Sequence, residues 1–223
     1  MKPEVSHPRY EKLEPGTRQR IFDAALKEFG RFGYRSASMN RLVEGAGISK
    51  GALFKYFGTK SGLFGYVYSS TLSEVKNVLR EVRDKTFGEP FFTRLERIIT
   101  AGLEFTARRP LSAAVYYRVI YTGDAPHGNH ILGEIQDTSK RFLRSLVEDG
   151  MAKGELREDL DPERAAFILQ SVLDRFLQAH YLEFMAPALD SGAGEGNSGT
   201  GRKNDQWVQE IIHIFRNGMR VEK

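Results

Sequence analysis

Apolar residues recur every three or four positions along almost the whole chain, and no segment alternates as a half-buried strand would. The first helix is predicted at about residues 17–32, with Thr17 as N-cap and Gly33 as a left-handed residue after its end. Its apolar positions form one arc opposite the charged positions. They are Ile21, Phe22, Ala25, Leu26, Phe29 and Phe32. The pattern therefore predicts an all-α protein.

Two short helices and a long helix follow the first one. Ser38 can cap a helix at 39–46 and Ser49 can cap another at 50–57, and a glycine follows each of them. A long fourth helix is predicted to run to about Lys85. Three short helices ahead of a long one, with a tight turn between the second and third, form a helix-turn-helix arrangement.

The rest of the chain predicts longer amphipathic helices joined by polar segments. These helices lie near 90–108, 110–122, 129–153, 162–185 and 205–220. Residues 1–16, punctuated by prolines and a glycine, are predicted to form a disordered arm, and the glycine-rich stretch 191–204 is predicted to be a flexible loop. The pattern G-x-G-x-x-G at 194–199 follows no strand, so a dinucleotide site is not expected there.

The helix predicted at 50–57 mixes lysines with aromatic residues. On a helical projection Leu53 and Phe57 share one face, and Gly51 and Lys55 point away from it. The outward face is small at its start and basic further along, which suits a DNA major groove about 12 Å wide. The alternative is an αα-hairpin with core aromatics and solvated lysines, and this segment alone leaves both interpretations open.

Positive charge is concentrated in the region that contains this helix. Residues 1–60 hold twelve lysines and arginines against six acidic residues, whereas the remaining residues hold 21 against 23. A phosphate-binding module requires such an asymmetry, so the charge favours the nucleic-acid interpretation.

Composition narrows the class of protein. The 223 residues are 40% hydrophobic and 28% charged, as in an ordinary globular protein. The absence of cysteine excludes disulfides, thiolate chemistry and cysteine-based metal sites. No run of apolar residues is long enough for a membrane span, and the polar start lacks the apolar stretch of a secretory signal. We expect a cytoplasmic protein with no membrane partner.

Residues 17–64 closely resemble the DNA-binding domain of the tetracycline-repressor (TetR) family of bacterial regulators. The resemblance rests on a first helix ending in F-G-x-x-G, a serine before the second helix, A-G-I-S at the turn, K-G-x-L-aromatic-x-aromatic-F, and a lysine three residues later. It implies that 17–64 form a helix-turn-helix DNA-binding domain and that 65–223 form a larger all-helical domain for effector binding and dimerisation.

The resemblance also implies roles for individual residues. Ser38 would hold a phosphate, and Met39 and Asn40 would lie near the groove. The recognition surface would consist of Lys50, Gly51, Ala52, Phe54 and Lys55. Phosphate contacts would come from Tyr56, Thr59 and Lys60.

Two positions depart from the family's pattern. Position 54 is commonly tyrosine, and Phe54 lacks the hydroxyl that could reach a phosphate, which leaves an apolar contact such as one with a thymine methyl group. Val43 stands where a smaller alanine is usual, which alters only packing.

The C-terminal domain carries no motif from which ligand residues can be transferred. We predict a small-molecule pocket with aromatic walls, although each candidate could instead belong to an ordinary core. The candidates are Phe105, Tyr116, Tyr117, Tyr121, Phe142 and Phe176. His127 and His130 form an HxxH pair without an identifiable third ligand, so neither a metal nor a cofactor is expected.

The last two predicted helices are apolar on more than one face. A second subunit packing as a four-helix bundle would cover the extra surface, and a single-chain core is the alternative that the pattern leaves open. The candidates for a dimer interface are Phe167, Leu173, Phe176, Trp207, Ile211 and Phe215.

Together these features predict a homodimeric regulator that represses from a near-palindromic operator and is released by a small-molecule effector. A helical DNA-binding regulator without an effector is the alternative. An all-α enzyme is disfavoured because the sequence offers no nucleophile–base pair, metal cluster or cofactor loop.

Overall fold

The computed structural model describes residue 10 and residues 13–126, 128–185 and 200–220, and of 128–138, 184–185 and 200–204 it describes the backbone alone. Within these ranges the chain is helical, and its one extended pairing is an isolated bridge between Leu156 and Arg220. The prediction of an all-α fold is confirmed. The predicted flexible loop falls outside the described residues up to position 199.

Nine α-helices and one π-helical turn occupy the described ranges. They are α1 Pro15–Ser36, α2 Met39–Ala46, α3 Lys50–Phe57, α4 Lys60–Lys85, α5 Phe91–Arg108, α6 Pro110–Thr122, α7 Gly128–Ala152, α8 Pro162–His180, the π-helical turn Tyr181–Met185, and α9 Thr200–Met219. In the described part of the chain, no helix has the length and apolar character needed to cross a membrane.

Side-chain caps fix the ends of the short helices, as the sequence predicts. The hydroxyl oxygen of Ser38 accepts from the amide of Arg41 at 3.4 Å, and that of Ser49 accepts from the amide of Ala52 at 3.1 Å. At the start of α1 the predicted cap is wrong. The carboxylate of Glu14, rather than Thr17, accepts from the first amides of the helix, so α1 begins before the predicted position.

The chain divides into two compact units. The first comprises Met1–Lys76 and Arg109–Asn129, so it contains the helix-turn-helix and also α6 from the middle of the chain. Its core contains side chains from α1, α2, α3 and the first part of α4. The rings of Phe29 and Phe64 meet edge to face there, with their centroids 5.0 Å apart. The largest fully buried side chains there are Ile21, Phe29, Leu42, Leu53, Leu63, Phe64 and Val67.

The second unit comprises Asn77–Arg108 and His130–Lys223. Its apolar core takes side chains from α5, α7, α8 and α9. Fully buried members include Phe91, Leu95, Ile99, Val147, Leu156, Ala166 and Leu169.

Tyr10, within the predicted disordered arm, packs on the first unit. Its ring centroid lies 4.8 Å from that of Phe57 and 4.9 Å from that of Tyr66, and only 3% of the residue is exposed. Its hydroxyl donates to the hydroxyl of Tyr66 at 2.9 Å, and burial together with this bond raises the pKa of Tyr10. The remaining residues before position 13 lie outside the described ranges.

Candidate nucleic-acid interface

Helix α3 has the two faces that its sequence predicts. Leu53 and Phe57 are buried in the core of the first unit, whereas Gly51 and Lys55 are exposed. No atom of the surroundings lies within 4 Å of the place where a Cβ of Gly51 would stand. Ala52, Phe54 and Tyr56 are half-buried between these faces. At its start, the outward side of α3 is thus not covered by the described part of the chain.

Helices α2 and α3 are connected at their N-terminal ends. The ammonium of Lys50 donates to the side-chain oxygen of Asn40 at 3.2 Å, and both residues are exposed. The structure therefore brings together two residues that the sequence assigned separately to the interface. Ser38 and Met39 directly precede Asn40 in the chain and are half-buried.

Lys60 has a structural role that the sequence did not predict. Its ammonium donates to the backbone carbonyls of Ala37 at 2.7 Å and Arg35 at 3.2 Å, and it lies 5.1 Å from the ring centroid of Tyr34. In this arrangement the ammonium of Lys60 satisfies carbonyls at the C-terminal end of α1. Thr59 is likewise engaged, since its hydroxyl oxygen accepts from the amide of Gly62 at 3.0 Å.

Glu28 is a buried acidic residue of α1 that the sequence did not single out. Its carboxylate accepts from the amide of Ser38 at 2.6 Å and from Nε of Arg41 at 3.1 Å, with a second bond from the same guanidinium. The bond to Glu28 raises the pKa of Arg41, whose guanidinium also lies 4.3 Å from the ring centroid of Phe32. These contacts fix α2 against α1.

Helix α1 breaks at Gly33 before its last turn. Gly33 has φ 74° and ψ 176°, and the next two amides, of Tyr34 and Arg35, donate to the carboxylate of Asp124 at 2.9 and 3.1 Å. Asp124 directly follows Gly123, the left-handed cap of α6. The sequence predicts Gly33 after a helix end, but it carries no signal that the carboxylate of Asp124, ninety positions from Tyr34, lies beside it.

The six candidate pocket residues fall in different units. Tyr116, Tyr117 and Tyr121 lie on α6 in the first unit, where the ring of Tyr117 is 5.4 Å from that of Tyr116 and 5.9 Å from that of Tyr121. Phe142 and Phe176 pack, partly buried, against the core of the second unit. Phe105 is half-buried on α5. Of the six candidates, the three tyrosines form a continuous aromatic row within one unit.

Three candidate interface residues belong to the core of their own unit. Leu173, Ile211 and Phe215 are buried among the side chains of the second unit. They therefore pack in the single-chain core that the sequence left open as the alternative to an interface, and Phe176 packs partly buried against the same core. The helical pattern could not distinguish the two apolar faces, because both carry large aliphatic and aromatic residues.

Other apolar side chains on α8 and α9 are exposed. Phe167 and Trp207, both predicted, are 61% and 58% exposed. Ile168 and Ile214, which the sequence did not single out, are 54% and 60% exposed, and Val172 is exposed as well. Large apolar side chains exposed at several positions of two helices are typical of a surface that a partner covers.

No cluster of three or more possible metal ligands occurs among the described residues. His127 and the side chain of His130 lie outside them, so the HxxH pair has no structural description.

Known proteins match this chain over both units. A sequence profile described as bacterial regulatory proteins of the tetR family matches residues 21–67. A second profile, described as the C-terminal domain of tetracyclin repressor-like proteins, matches residues 90–220, which is more than half of the chain.

Individual relatives agree with these profiles. The chain is 27% identical to the HTH-type transcriptional regulator AcrR of Shigella flexneri, over 73% of this chain and 77% of that protein. It is 26% identical to the HTH-type transcriptional repressor AcnR of Corynebacterium glutamicum, over 72% of this chain and 80% of that protein. The crystal structure of a TetR family transcriptional regulator from Chloroflexus aurantiacus J-10-FL matches with a TM-score of 0.76 and 27% identity, over 98% of this chain and all of that one.

Proposed function

Because this chain belongs to the tetR family of bacterial regulatory proteins, we propose that it is a homodimeric repressor that leaves its operator when a small molecule binds. As a member of a family of transcriptional regulators it is not an enzyme. The repressor assignment is supported by the relative from Corynebacterium glutamicum, which is named a repressor. A regulator of this kind would act in the cytoplasm, where bacterial DNA lies.

The observation that carries the DNA-binding proposal is the outward face of α3. Gly51 is exposed at its start, where a Cβ would meet no other part of the described chain within 4 Å, and Lys55 is exposed one turn later. A small residue allows the helix backbone to approach the floor of the major groove, and a lysine beyond it can donate to a guanine or a phosphate. Phe54 lies beside Lys55 and would offer an apolar contact to a thymine methyl group.

The neighbouring polar residues divide into two groups. Lys50 and Asn40, which are hydrogen-bonded to each other, would meet the DNA together at the N-terminal ends of α3 and α2. Ser38, Met39, Ala52, Tyr56 and Thr59 keep the roles that the family resemblance implies. Lys60 is assigned instead to the support of the domain, because its ammonium already holds two backbone carbonyls.

The exposed apolar residues of α8 and α9 support a homodimer. Phe167, Ile168 and Val172 of α8, with Trp207 and Ile214 of α9, would pack on the same residues of a second copy in a four-helix arrangement. Two copies of α3 would then read half-sites about one helical turn apart, so the operator would be near-palindromic.

An effector is proposed to bind near the tyrosine row of α6. Tyr116, Tyr117 and Tyr121 give an apolar wall with polar ends, which is the composition that small-molecule sites use. The alternative is a regulator without an effector, in which these rings serve packing alone. A thermal-shift screen of aromatic and apolar metabolites separates the two, because a ligand bound only by the folded protein raises its melting temperature.

The test of the function is selection of DNA by the purified chain. Duplexes of about 40 base pairs, long enough for two half-sites, are selected from a random library and sequenced. We expect a near-palindromic consensus, and failure to enrich any sequence would contradict the proposal.

The selected duplex is then titrated with Lys55→Ala at several salt concentrations. A lysine that contacts a phosphate contributes about one unit to the slope of log affinity against log salt. We expect Lys55→Ala to bind more weakly, whereas Lys85→Ala, which changes an exposed lysine of the second unit, should bind like the wild type. Equal affinities of the wild type and both variants for the duplex would contradict the assignment of Lys55 to the DNA interface.

A further inference from the structure

The segment 34–38, between the break in α1 and the start of α2, is held by three charged side chains. Asp124 accepts from the amides of Tyr34 and Arg35, and Lys60 donates to the carbonyls of Arg35 and Ala37. The amide of the last residue of the segment donates to Glu28. Five backbone groups, from four of these five residues, therefore bond to side chains from three other places in the chain.

Asp124 lies outside the DNA-binding part of the sequence, unlike Glu28 and Lys60. Glu28 and Lys60 lie within residues 21–67, which the profile of the DNA-binding domain matches, whereas Asp124 comes from the far end of α6. Its carboxylate takes the place of an N-cap for the last turn of α1, which starts anew after Gly33. Only 15% of the Asp124 side chain is exposed.

Close approach of the two helices makes this contact possible. A Cβ on Gly33 would stand 2.0 Å from the carboxylate oxygen of Asp124, and a Cβ on Gly30 would stand 3.0 Å from the side chain of Leu111. A further bond runs from the guanidinium of Arg118 to the carbonyl of Arg31 at 3.1 Å. The C-terminal half of α1 therefore packs along α6.

We propose that Asp124 is a positioning residue for DNA binding, because it completes the segment that places α2. This inference rests on the proposed function of the chain as an operator-binding regulator. Segment 34–38 ends at Ser38, the cap of α2, and α2 is bonded to α3 through Asn40 and Lys50. The helix-turn-helix is then not self-sufficient, since α6 supplies an acceptor on which its geometry depends.

The physical basis is the strength and direction of the two bonds. Hydrogen bonds from amides to a carboxylate are stronger than neutral ones, and two of them from consecutive amides orient the turn as well as holding it. Without the carboxylate these amides bond to water, which holds them in no fixed direction. The turn then samples other conformations, and α2 and α3 meet the DNA in the correct orientation only part of the time.

The experiment compares Asp124→Ala and Asp124→Asn with Asp161→Ala in the full-length chain. Asp161 is a matched control, because its carboxylate also caps a helix, accepting from the amide of Arg164 at 2.8 Å, but in the second unit. Each variant is measured for thermal unfolding, for amide hydrogen exchange, and for affinity to the duplex selected by the wild type.

We expect Asp124→Ala to lose about tenfold or more in affinity at a temperature at which it is fully folded, the effect of losing charge-assisted bonds. Asp124→Asn should lie between it and the wild type, because an amide oxygen can still accept one bond. The rate of amide hydrogen exchange should rise at residues 34–46 in Asp124→Ala. Asp161→Ala should keep the wild-type affinity.

Two results would overturn the inference. One is wild-type affinity in a folded Asp124→Ala protein, and the other is unchanged exchange over residues 34–46, which can be measured without DNA. If no duplex can be selected at all, the proposed function fails, whereas the exchange measurement still decides whether Asp124 orders the segment.

Discussion

The carboxylate of Glu28 and the guanidinium of Arg41 form a two-bond contact that fastens α2 to α1. Glu28 is almost fully buried, with 6% exposed, and it also accepts the amide of Ser38. This buried carboxylate has three donors, and without it the amide of Ser38 would lose its acceptor and the guanidinium of Arg41 its contact with α1. This one acidic residue therefore sets where the helix-turn-helix begins.

Replacement of Glu28 should destabilise the protein. We expect Glu28→Ala to lower the free energy of unfolding by about 1–3 kcal/mol, because the half-buried amide of Ser38 loses its charged acceptor. Glu28→Gln should lose less, since its amide oxygen can still accept from Ser38. Urea denaturation measures both. Glu148→Ala, which breaks an exposed pair with Arg144, is the control and should have little effect. Equal midpoints for Glu28→Ala and this control would contradict the role of Glu28.

Gly47 and Gly33, two of the positive-φ glycines of the first unit, should respond differently to alanine. Gly47 has φ 65° with open space around a Cβ, so Gly47→Ala should cost about 1–2 kcal/mol for the backbone alone. Gly33→Ala should cost more, because its Cβ would also overlap the carboxylate of Asp124. Urea denaturation gives both values. A cost for Gly33→Ala no greater than that for Gly47→Ala would contradict the close approach of Asp124.

Alanine variants of Lys60 and Lys55 should differ in stability when no DNA is present. Lys60→Ala removes the donor to two carbonyls and should lower the free energy of unfolding by about 1–2 kcal/mol. Lys55→Ala changes an exposed lysine and should leave unfolding unchanged. Chemical denaturation of the two variants is the measurement. If Lys60→Ala is as stable as the wild type, the lysine is available for a phosphate after all.

The exposed apolar face of α8 and α9 predicts the effect of a charge on assembly. Phe167→Asp and Trp207→Asp should convert a dimer to a monomer, because an isolated carboxylate cannot be buried at an apolar interface without a large cost. Sedimentation velocity of the wild type and both variants measures the state. Asn217→Asp, which adds the same charge at an exposed position of α9, should remain a dimer. Dimers in all four proteins would place the interface elsewhere.

Asp174 on α8 predicts a dependence of stability on pH. Burial raises its pKa from 3.8 to about 6, although a hydrogen bond with Gln170 opposes the shift. Between about pH 4 and pH 6 the folded state therefore binds more protons than the unfolded state, so this group makes stability fall as pH rises through that window.

Asp174→Asn removes the titrating group and keeps the shape of the side chain. We expect it to raise the free energy of unfolding at about pH 8 by roughly 1–3 kcal/mol and to have little effect near pH 3.5. Denaturation at the two pH values measures this. The exposed Asp159→Asn serves as control, and an equal effect of Asp174→Asn at both pH values would show that proton binding is not the cause.

Local features of the fold were determined by the sequence. The bounds of α2 and α3 follow from Ser38, Ser49 and the glycine that ends each helix, because a cap and its amides are three residues apart. The buried face of α3 follows from the spacing of Leu53 and Phe57, one helical turn apart. Such features require only the neighbouring turn of the same chain, so the all-α fold and the recognition helix were predictable.

Contacts across the chain were decided only by the tertiary structure. Asp124 accepts from the amide of Tyr34 from ninety positions away, and Lys60, predicted to contact a phosphate, donates to the backbone carbonyl of Ala37. The helical periodicity also predicts apolar residues on more than one face of α8 and α9. It does not distinguish Leu173, which is buried in the core, from Phe167, which is exposed to solvent. Helical spacing fixes directions around a helix axis, whereas the packing of one helix on another decides which direction is covered.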